Sequence, residues 1–224
     1  MKFAPIVHLI GMLLCILSLF MLIPALVDWF YGSNDWPAFI FSSFLTGLIG
    51  SFFYFSAKNN STEHLELRQA FLLTNSAWLS IALFGSLPFL FSQINMSFVD
   101  ALFESTSGIT TTGATVITNL DNTSHGILIW RALLQWLGGV GIIVMALAIL
   151  PMLSIGGMQL FKTESYETPD KVVPKAATFA AGISIVYSIL TIAWALMLWK
   201  AGMPVFDSIA HAMTTLATGG YSTK

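Results

Sequence analysis

Two segments rich in threonine and glycine, 107 positions apart, are the part of this chain whose residue types and spacing could do chemistry. The first, 110–114, reads Thr-Thr-Thr-Gly-Ala, and the second, 217–221, reads Ala-Thr-Gly-Gly-Tyr, so that Gly113 aligns with Gly220 without a gap. Glycine permits backbone angles that are closed to other residues, and threonine adds a hydroxyl oxygen on a stiff, β-branched side chain. Such segments can turn successive carbonyl oxygens toward one point, where they replace the water around a cation. The pattern therefore predicts part of an ion pathway.

The residue types of the two segments favour a monovalent cation. A divalent ion would ask for carboxylate ligands, and neither segment contains one. Carbonyl oxygens carry no full negative charge and suit a weakly hydrated monovalent ion, for which potassium is the natural candidate. We expect no other metal and no covalently bound cofactor. The predicted potassium ligands are the backbones of Thr111, Thr112, Gly113, Thr218, Gly219 and Gly220, and the residues predicted to support them are Thr110, Glu104, Ala217 and His211.

The composition indicates that these segments belong to a membrane protein. Apolar residues make up 56% of the 224 positions and charged residues 9%, whereas about a quarter of a soluble domain is charged. No basic tract points to nucleic acid, and the single cysteine, Cys15, cannot form an internal disulfide. A helix needs about 20 apolar residues to cross the hydrocarbon core. Five stretches qualify: 3–27, which Pro24 should bend or end, 36–57, 69–92, 127–153 and 176–200.

Two shorter helices are predicted directly before the threonine- and glycine-rich segments, at 98–109 and 205–216. At 1.5 Å per residue each is about 18 Å long, roughly half the thickness of the membrane. Asp100 and Asp207 fall in their first turns, where a carboxylate suits the positive end of the helix dipole. The negative ends would point at the two segments, and a cation held there would be stabilised.

These elements predict an all-α polytopic membrane protein built from a potassium-channel-like repeat of outer helix, pore helix, filter strand and inner helix. Residues 58–153 would form the first unit, and residues 176–224 a second unit that stops after its filter. Residues 1–57 are an additional N-terminal helix pair, and residues 154–175 a cytoplasmic connector. With the N-terminus inside, six of the nine basic residues lie on the cytoplasmic side. Both short helices would then enter from outside.

The two segments, taken with the helices before them, resemble a known family. Residues 103–114, Phe-Glu-x-x-Ser-Gly-x-Thr-Thr-Thr-Gly-Ala, resemble the first pore signature of the Trk/Ktr potassium transporters. Residues 207–222, which begin Asp-x-x-x-His and end Thr-Gly-Gly-Tyr-Ser, are similar to the second. Residues 1–57 look like the extra N-terminal domain of the Trk branch. The resemblance covers the whole chain.

The resemblance implies a potassium-translocating subunit of a Trk-type system, embedded in the lipid bilayer of the bacterial inner membrane. Family members surround one axis with four pore units, form homodimers, and work with a cytoplasmic nucleotide-binding regulatory subunit. Residues 154–175 would be a candidate docking surface for that subunit. Whether uptake is channel-like or a symport with sodium or protons stays open.

This chain departs from the family in holding one complete unit and most of a second. We therefore interpret it as the N-terminal portion of a longer chain. The alternative is a membrane-embedded fragment with no transport activity of its own. An enzyme is not expected, but the remote alternative is an intramembrane serine protease using Ser105 or Ser107 with His211. Against it, Thr106-Ser107-Gly108 has no glycine two residues before the serine, as a nucleophile motif requires.

Polar residues and glycines near the predicted filter allow more than one interpretation. Glu104 and His211 occupy matching positions, and either tune the electric field behind the filter or bond to the neighbouring filter backbone and hold its shape. Arg131 is expected to extend to the outer interface, or else to repel cations at the mouth. The sequence Gly-Gly-x-Gly at 138–141 lacks the strand and the lysine of a phosphate loop. It indicates close helix packing, or a hinge in the inner helix.

Overall fold

The computed structural model describes residues 3–57, 67–149 and 172–224, and within these ranges every regular element is a helix. The prediction of an all-α protein is therefore confirmed for the described residues. The predicted connector 154–175 lies almost wholly outside them, as do the last residues of the fourth predicted span. The elements are α1 (Ala4–Tyr31), α2 (Trp36–Ala57), α3 (Leu67–Gly85), α4 (Leu87–Phe91), α5 (Phe98–Ile109), a 3₁₀ turn (Leu120–Asn122), α6 (His125–Ile149), α7 (Val172–Lys200) and α8 (Val205–Leu216).

Five of these helical stretches are long and apolar enough to cross a membrane. They correspond to α1, α2, α3 continued by α4, α6 and α7, which are the five predicted spans. The chain is therefore a multi-pass membrane protein. Pro24 does not end α1, which continues to Tyr31. In a membrane, neighbouring helices can stabilise a helix that has lost one backbone hydrogen bond, and Pro24 is itself buried.

Helices α1 and α2 form a closely packed pair because glycines let their backbones approach. A Cβ atom on Gly11 would collide with the backbone of Tyr54, and one on Gly50 would lie 2.9 Å from the amide nitrogen of Cys15. Small residues at such positions are the usual means of helix association in lipid. The pair can therefore form a rigid unit.

Two aspartates attach this helix pair to the rest of the chain. The buried carboxylate of Asp28 accepts a hydrogen bond from the backbone N–H of Gly126, in the first turn of α6. The carboxylate of Asp35 accepts one from the backbone N–H of Gln93, at 2.8 Å. Because Asp28 lies beside the first turn of α6, its carboxylate is stabilised by the positive end of that helix's dipole. The α1–α2 pair thereby fixes the start of α6.

Candidate ion pathway

The short helices α5 and α8 have the bounds predicted from sequence. The hydroxyl of Ser97 caps α5, accepting from the backbone N–H of Asp100 at 3.2 Å and donating to the Asp100 carboxylate at 2.7 Å. Pro204 is the residue before the first turn of α8, one position earlier than a first-turn proline. Each helix is followed directly by one of the threonine- and glycine-rich segments, so its negative dipole end lies beside that segment.

The chain leaves both short helices in the same way. The backbone N–H of Thr112 donates to the carbonyl of Ser107 at 2.9 Å, and that of Gly219 donates to the carbonyl of Thr214 at 2.9 Å. The two donors are 107 positions apart in the chain, and so are the two acceptors. Two more hydrogen bonds follow the same offset: Thr110 to Thr106 with Ala217 to Met213, and Thr111 to Gly108 with Thr218 to Thr215.

Backbone angles repeat at the same offset. The φ angle is +57° at Thr111 and +55° at Thr218, and it is +78° at Gly113 and +77° at Gly220. Glycine adopts such angles readily, but a β-branched residue does so only under strain, at a cost of about 1–3 kcal/mol. Residues held in such conformations cluster at functional sites. The same strained backbone thus occurs twice, at equivalent positions.

The two segments contact each other side by side. A Cβ atom on Gly113 would collide with the carbonyl oxygen of Gly219, so the two backbones can approach only because Gly113 has no side chain. The hydroxyl of Tyr221 lies 3.0 Å from the carbonyl of Glu104 and 3.2 Å from that of Ala114, and the hydroxyl of Ser107 donates to the Ala114 carbonyl at 2.6 Å. The segments therefore form one joined backbone surface.

Glu104 lies behind the first segment and is fully buried. Its carboxylate accepts hydrogen bonds from the hydroxyl of Thr115 at 2.9 Å and from the backbone N–H of Val116 at 3.0 Å. It also accepts one from Nε of Arg131 at 2.7 Å. A buried carboxylate with a cationic partner and two further donors is well satisfied. It can hold the chain that leaves the first segment.

His211, at the position equivalent to Glu104, lies behind the second segment. Its Nδ1 faces the carbonyl of Asp207 at 2.8 Å, and since a carbonyl can only accept, Nδ1 carries the proton. Its Nε2 lies 3.4 Å from the hydroxyl of Ser222, the residue equivalent to Thr115. Each side chain thus contacts a hydroxyl residue at an equivalent place, Thr115 two positions after Gly113 and Ser222 two positions after Gly220.

Arg131 was misinterpreted from sequence. Its side chain is 1% exposed and does not extend to an interface, because Glu104 lies within ion-pair distance inside the protein. Its Nη1 also donates to the carbonyl of Ser222 at 3.1 Å, and its guanidinium carbon lies 4.1 Å from the ring centre of Tyr221. Arg131 therefore contacts Glu104, which holds the chain after the first segment, and the end of the second segment directly.

Gln135, one turn after Arg131 on α6, is also buried against both segments. Its Oε1 accepts a hydrogen bond from the backbone N–H of Tyr221 at 3.2 Å. A Cβ atom on Gly219 would collide with its amide group, and one on Gly113 would lie 3.6 Å from Nε2. One signal of this arrangement is present in the sequence, since Arg131 and Gln135, two polar residues four positions apart, share one face of an apolar helix.

The glycines of α6 bring this helix against the ends of both short helices. A Cβ atom on Gly138 would collide with the carbonyl of Ile109, the last residue of α5. One on Gly139 would lie 3.1 Å from the Cα of Ala217, directly after α8. The interpretation as close helix packing is therefore confirmed at these two positions. At Gly141 the nearest described atom beyond the helix's own backbone would be 3.9 Å away, in the ring of Trp78.

We expect Gly138→Ala to destabilise the protein, because its methyl group would collide with backbone that cannot rotate away. Overpacking of this kind costs about 1–3 kcal/mol. Gly141→Ala is the matched control, since its methyl group finds room and alanine favours a helix by about 1 kcal/mol over glycine. The measurement is the temperature at which the purified protein loses its monodisperse form in detergent. Equal midpoints for the two variants would contradict the packing at Gly138.

The remaining predicted residues lie at or beside the two segments. Thr110 and Ala217 are the residues directly after α5 and α8, and the hydroxyl of Thr110 donates to the carbonyl of Thr106 at 2.7 Å. Thr112 is exposed, and its hydroxyl lies 2.8 Å from that of Thr110. Within the described ranges, no three histidine, cysteine, aspartate or glutamate side chains form a group that could hold a metal ion.

The protease alternative has little support in this geometry. The hydroxyl of Ser107 donates to the carbonyl of Ala114, and the histidine, His211, contacts Ser222 rather than Ser107. Its other nitrogen faces the backbone carbonyl of Asp207 and not a carboxylate. A serine activated by an oriented base, as nucleophilic catalysis needs, is therefore not formed by these residues.

Comparisons with known proteins agree with the sequence resemblance. Residues 36–224 match the family model TrkH, described as a cation transport protein. The chain is 42% identical over 226 residues to the Trk system potassium uptake protein TrkH of Salmonella typhimurium, covering 100% of this chain and 47% of that protein. The protein TrkG of Escherichia coli is 36% identical, with 97% of this chain and 45% of that protein covered.

A solved structure gives the same result. The crystal structure of the potassium transporter TrkH from Vibrio parahaemolyticus superposes with a TM-score of 0.89 at 41% identity, covering 100% of this chain and 45% of that one. The chain thus spans a little under half the length of the relatives it matches. Because the family model covers most of the chain and the likeness extends over all of it, this chain belongs to the TrkH family of cation transport proteins.

Proposed function

We propose that this chain is the N-terminal portion of a Trk-type potassium uptake protein of the bacterial inner membrane. In this proposal α5 and α8 are pore helices, and 110–114 and 217–221 are two of the filter segments. Potassium is the substrate, and its ligands are the backbone carbonyls of Thr111–Gly113 and Thr218–Gly220. Relatives of this chain are named potassium uptake proteins.

The observation that carries the proposal is the strained backbone that follows the end of each of two half-length helices, α5 and α8. Positive φ angles at Thr111 and Thr218 are costly for β-branched residues, and the cost is incurred twice. Irregular backbone survives inside a membrane only where protein or a water-filled cavity satisfies it. A selectivity filter would explain why irregular backbone is present here, because the carbonyls of a filter must point toward an ion.

The chemistry would be an exchange of water for protein oxygen. A potassium ion arriving from outside would lose part of its hydration shell to carbonyls of the two segments, with the remaining ligands from the rest of the protein. The negative dipole ends of α5 and α8 would stabilise the partly dehydrated cation. Glu104 would not be a ligand, since its carboxylate is buried and bonded to Thr115, Val116 and Arg131.

The family resemblance also supports a proposal for the assembly in which this chain works. Four pore units around one axis would complete the filter, and the full-length protein would form a homodimer. A cytoplasmic nucleotide-binding subunit would regulate it. The proposal covers both channel-like and ion-coupled uptake, because the two filter segments would dehydrate the ion in either case.

Growth at limiting potassium tests the proposed function. A potassium-uptake-deficient bacterium that retains its own regulatory subunits would receive the full-length protein that carries this sequence. We expect restored growth and uptake of potassium in preference to sodium. Protein that reaches the membrane at normal levels, yet restores neither growth nor potassium uptake, would contradict the proposal.

A further inference from the structure

We propose that Arg131 and Gln135 of α6 form a link that sets the spacing of the two filter segments, and that they determine selectivity without contacting the ion. The inference rests on the proposed function, since it assigns a role to residues behind the proposed filter. Both are positioning residues. Gln135 lies against both segments, and Arg131 contacts the end of the second segment directly and the chain after the first through Glu104.

Arg131 makes three different contacts with one planar group. Nε donates to Glu104, which in turn holds Thr115 and Val116 after the first segment. Nη1 donates to the carbonyl of Ser222 after the second segment. The guanidinium also lies over the ring of Tyr221, whose hydroxyl reaches back to Ala114 in the first segment. The side chain therefore connects the two segments.

Charge balance alone does not require this arrangement. A lysine could neutralise Glu104 as a point charge, but the fork geometry of arginine allows two acceptors to be bound at a fixed separation. Those acceptors are the Glu104 carboxylate and the Ser222 carbonyl, 118 positions apart in the chain. The use of both acceptors is what distinguishes a link from a simple ion pair.

Gln135 adds a second, uncharged connection one turn away. Because the backbone N–H of Tyr221 can only donate, the amide oxygen of Gln135 must face it, which points Nε2 toward Gly113. Within the described part of the chain, Nε2 is buried and has no hydrogen-bond partner. The amide lies beside the contact between the two segments, where a Cβ atom on Gly219 would collide with it and one on Gly113 would lie 3.6 Å from Nε2. It fills that junction.

The test uses variants of the full-length protein that separate a link from a merely structural ion pair. Arg131→Lys keeps the charge beside Glu104 and loses the fork. The double variant Glu104→Gln with Arg131→Gln removes both charges, so that neither remains buried without a partner. Gln135→Met keeps the size of the side chain, loses the bond to Tyr221 and introduces no charge. Matched controls are Lys200→Gln and Gln93→Met, whose side chains are exposed.

The readout is the ratio of potassium to sodium uptake, measured beside the amount of protein in the membrane. We expect Arg131→Lys, the double variant and Gln135→Met each to lower that ratio about tenfold, since each removes a hydrogen bond that sets the spacing. The controls should keep the wild-type ratio. Should the arginine variants fail to reach the membrane, Gln135→Met decides the question by itself.

A merely structural role predicts a different result. Arg131→Lys, the double variant and Gln135→Met would then reach the membrane in altered amounts but keep the wild-type ratio, and this outcome would overturn the inference. Gly113→Ser, measured in parallel, distinguishes that failure from failure of the proposed function. If Gly113→Ser lowers the ratio while the linking variants do not, the filter stands and only the link is wrong.

Discussion

Gly113→Ser in the full-length protein is expected to abolish most of the preference for potassium over sodium, the largest effect of any single substitution considered. Two obstacles act together at this position. The φ angle of +78° is strained for serine, at about 1–3 kcal/mol, and the new Cβ would collide with the carbonyl of Gly219. The collision displaces a predicted potassium ligand directly. Competition between potassium and sodium in uptake assays measures the effect.

Gly220→Ser is the internal comparison, because only one of the two obstacles is found there. Its φ angle is +77°, but no described atom lies within 4 Å of the Cβ that serine would add. We expect Gly220→Ser to lower selectivity less than Gly113→Ser, and Gly141→Ser to leave it unchanged. Wild-type selectivity in both Gly113→Ser and Gly220→Ser would show that these segments are not the filter.

The polypeptide 1–224 alone is expected to give no potassium-selective flux in liposomes, whereas the full-length protein gives clear flux. A potassium filter surrounds the ion with carbonyls, and two segments leave part of its hydration shell unreplaced. The chain spans a little under half of its relatives. Potassium efflux from loaded liposomes, detected with a fluorescent indicator, is the measurement.

The matching control for this experiment is the full-length protein reconstituted at the same protein-to-lipid ratio. Self-association of two copies could bring four filter segments around one axis, so the oligomeric state of 1–224 in detergent should be measured in parallel. Robust potassium-selective flux from 1–224 would contradict the requirement for four pore units in one chain.

Local sequence patterns predicted the helices well. The bounds of α5 and α8 follow from the cap at Ser97, from Pro204 before α8, and from the change to threonine and glycine after each helix. The five spans follow from the length of apolar sequence that a bilayer needs. The end of α1 was predicted too early at Pro24, because the effect of a proline inside a helix depends on what packs around it.

Contacts between distant residues could not be predicted in the same way. Arg131 stands near the end of an apolar stretch, where an arginine usually extends to the interface. Its ion pair with Glu104 depends on how α5 packs against α6, and its bond to Ser222 on how the two segments meet. The contact between Gly113 and Gly219 has the same origin. The offset of 107 positions predicted which residues of the two segments are equivalent, but it did not predict that the two segments contact each other.

The most direct test of the central claim is to locate the ion. Crystals of the full-length protein grown with thallium, a heavy substitute for potassium, would show the bound cation by anomalous scattering. The account predicts a peak lined by the backbone carbonyls of Thr111–Gly113 and Thr218–Gly220, with both segments contributing at equivalent positions. A peak held instead by the carboxylates of Glu104 or Asp207, with no density beside the two segments, would contradict it.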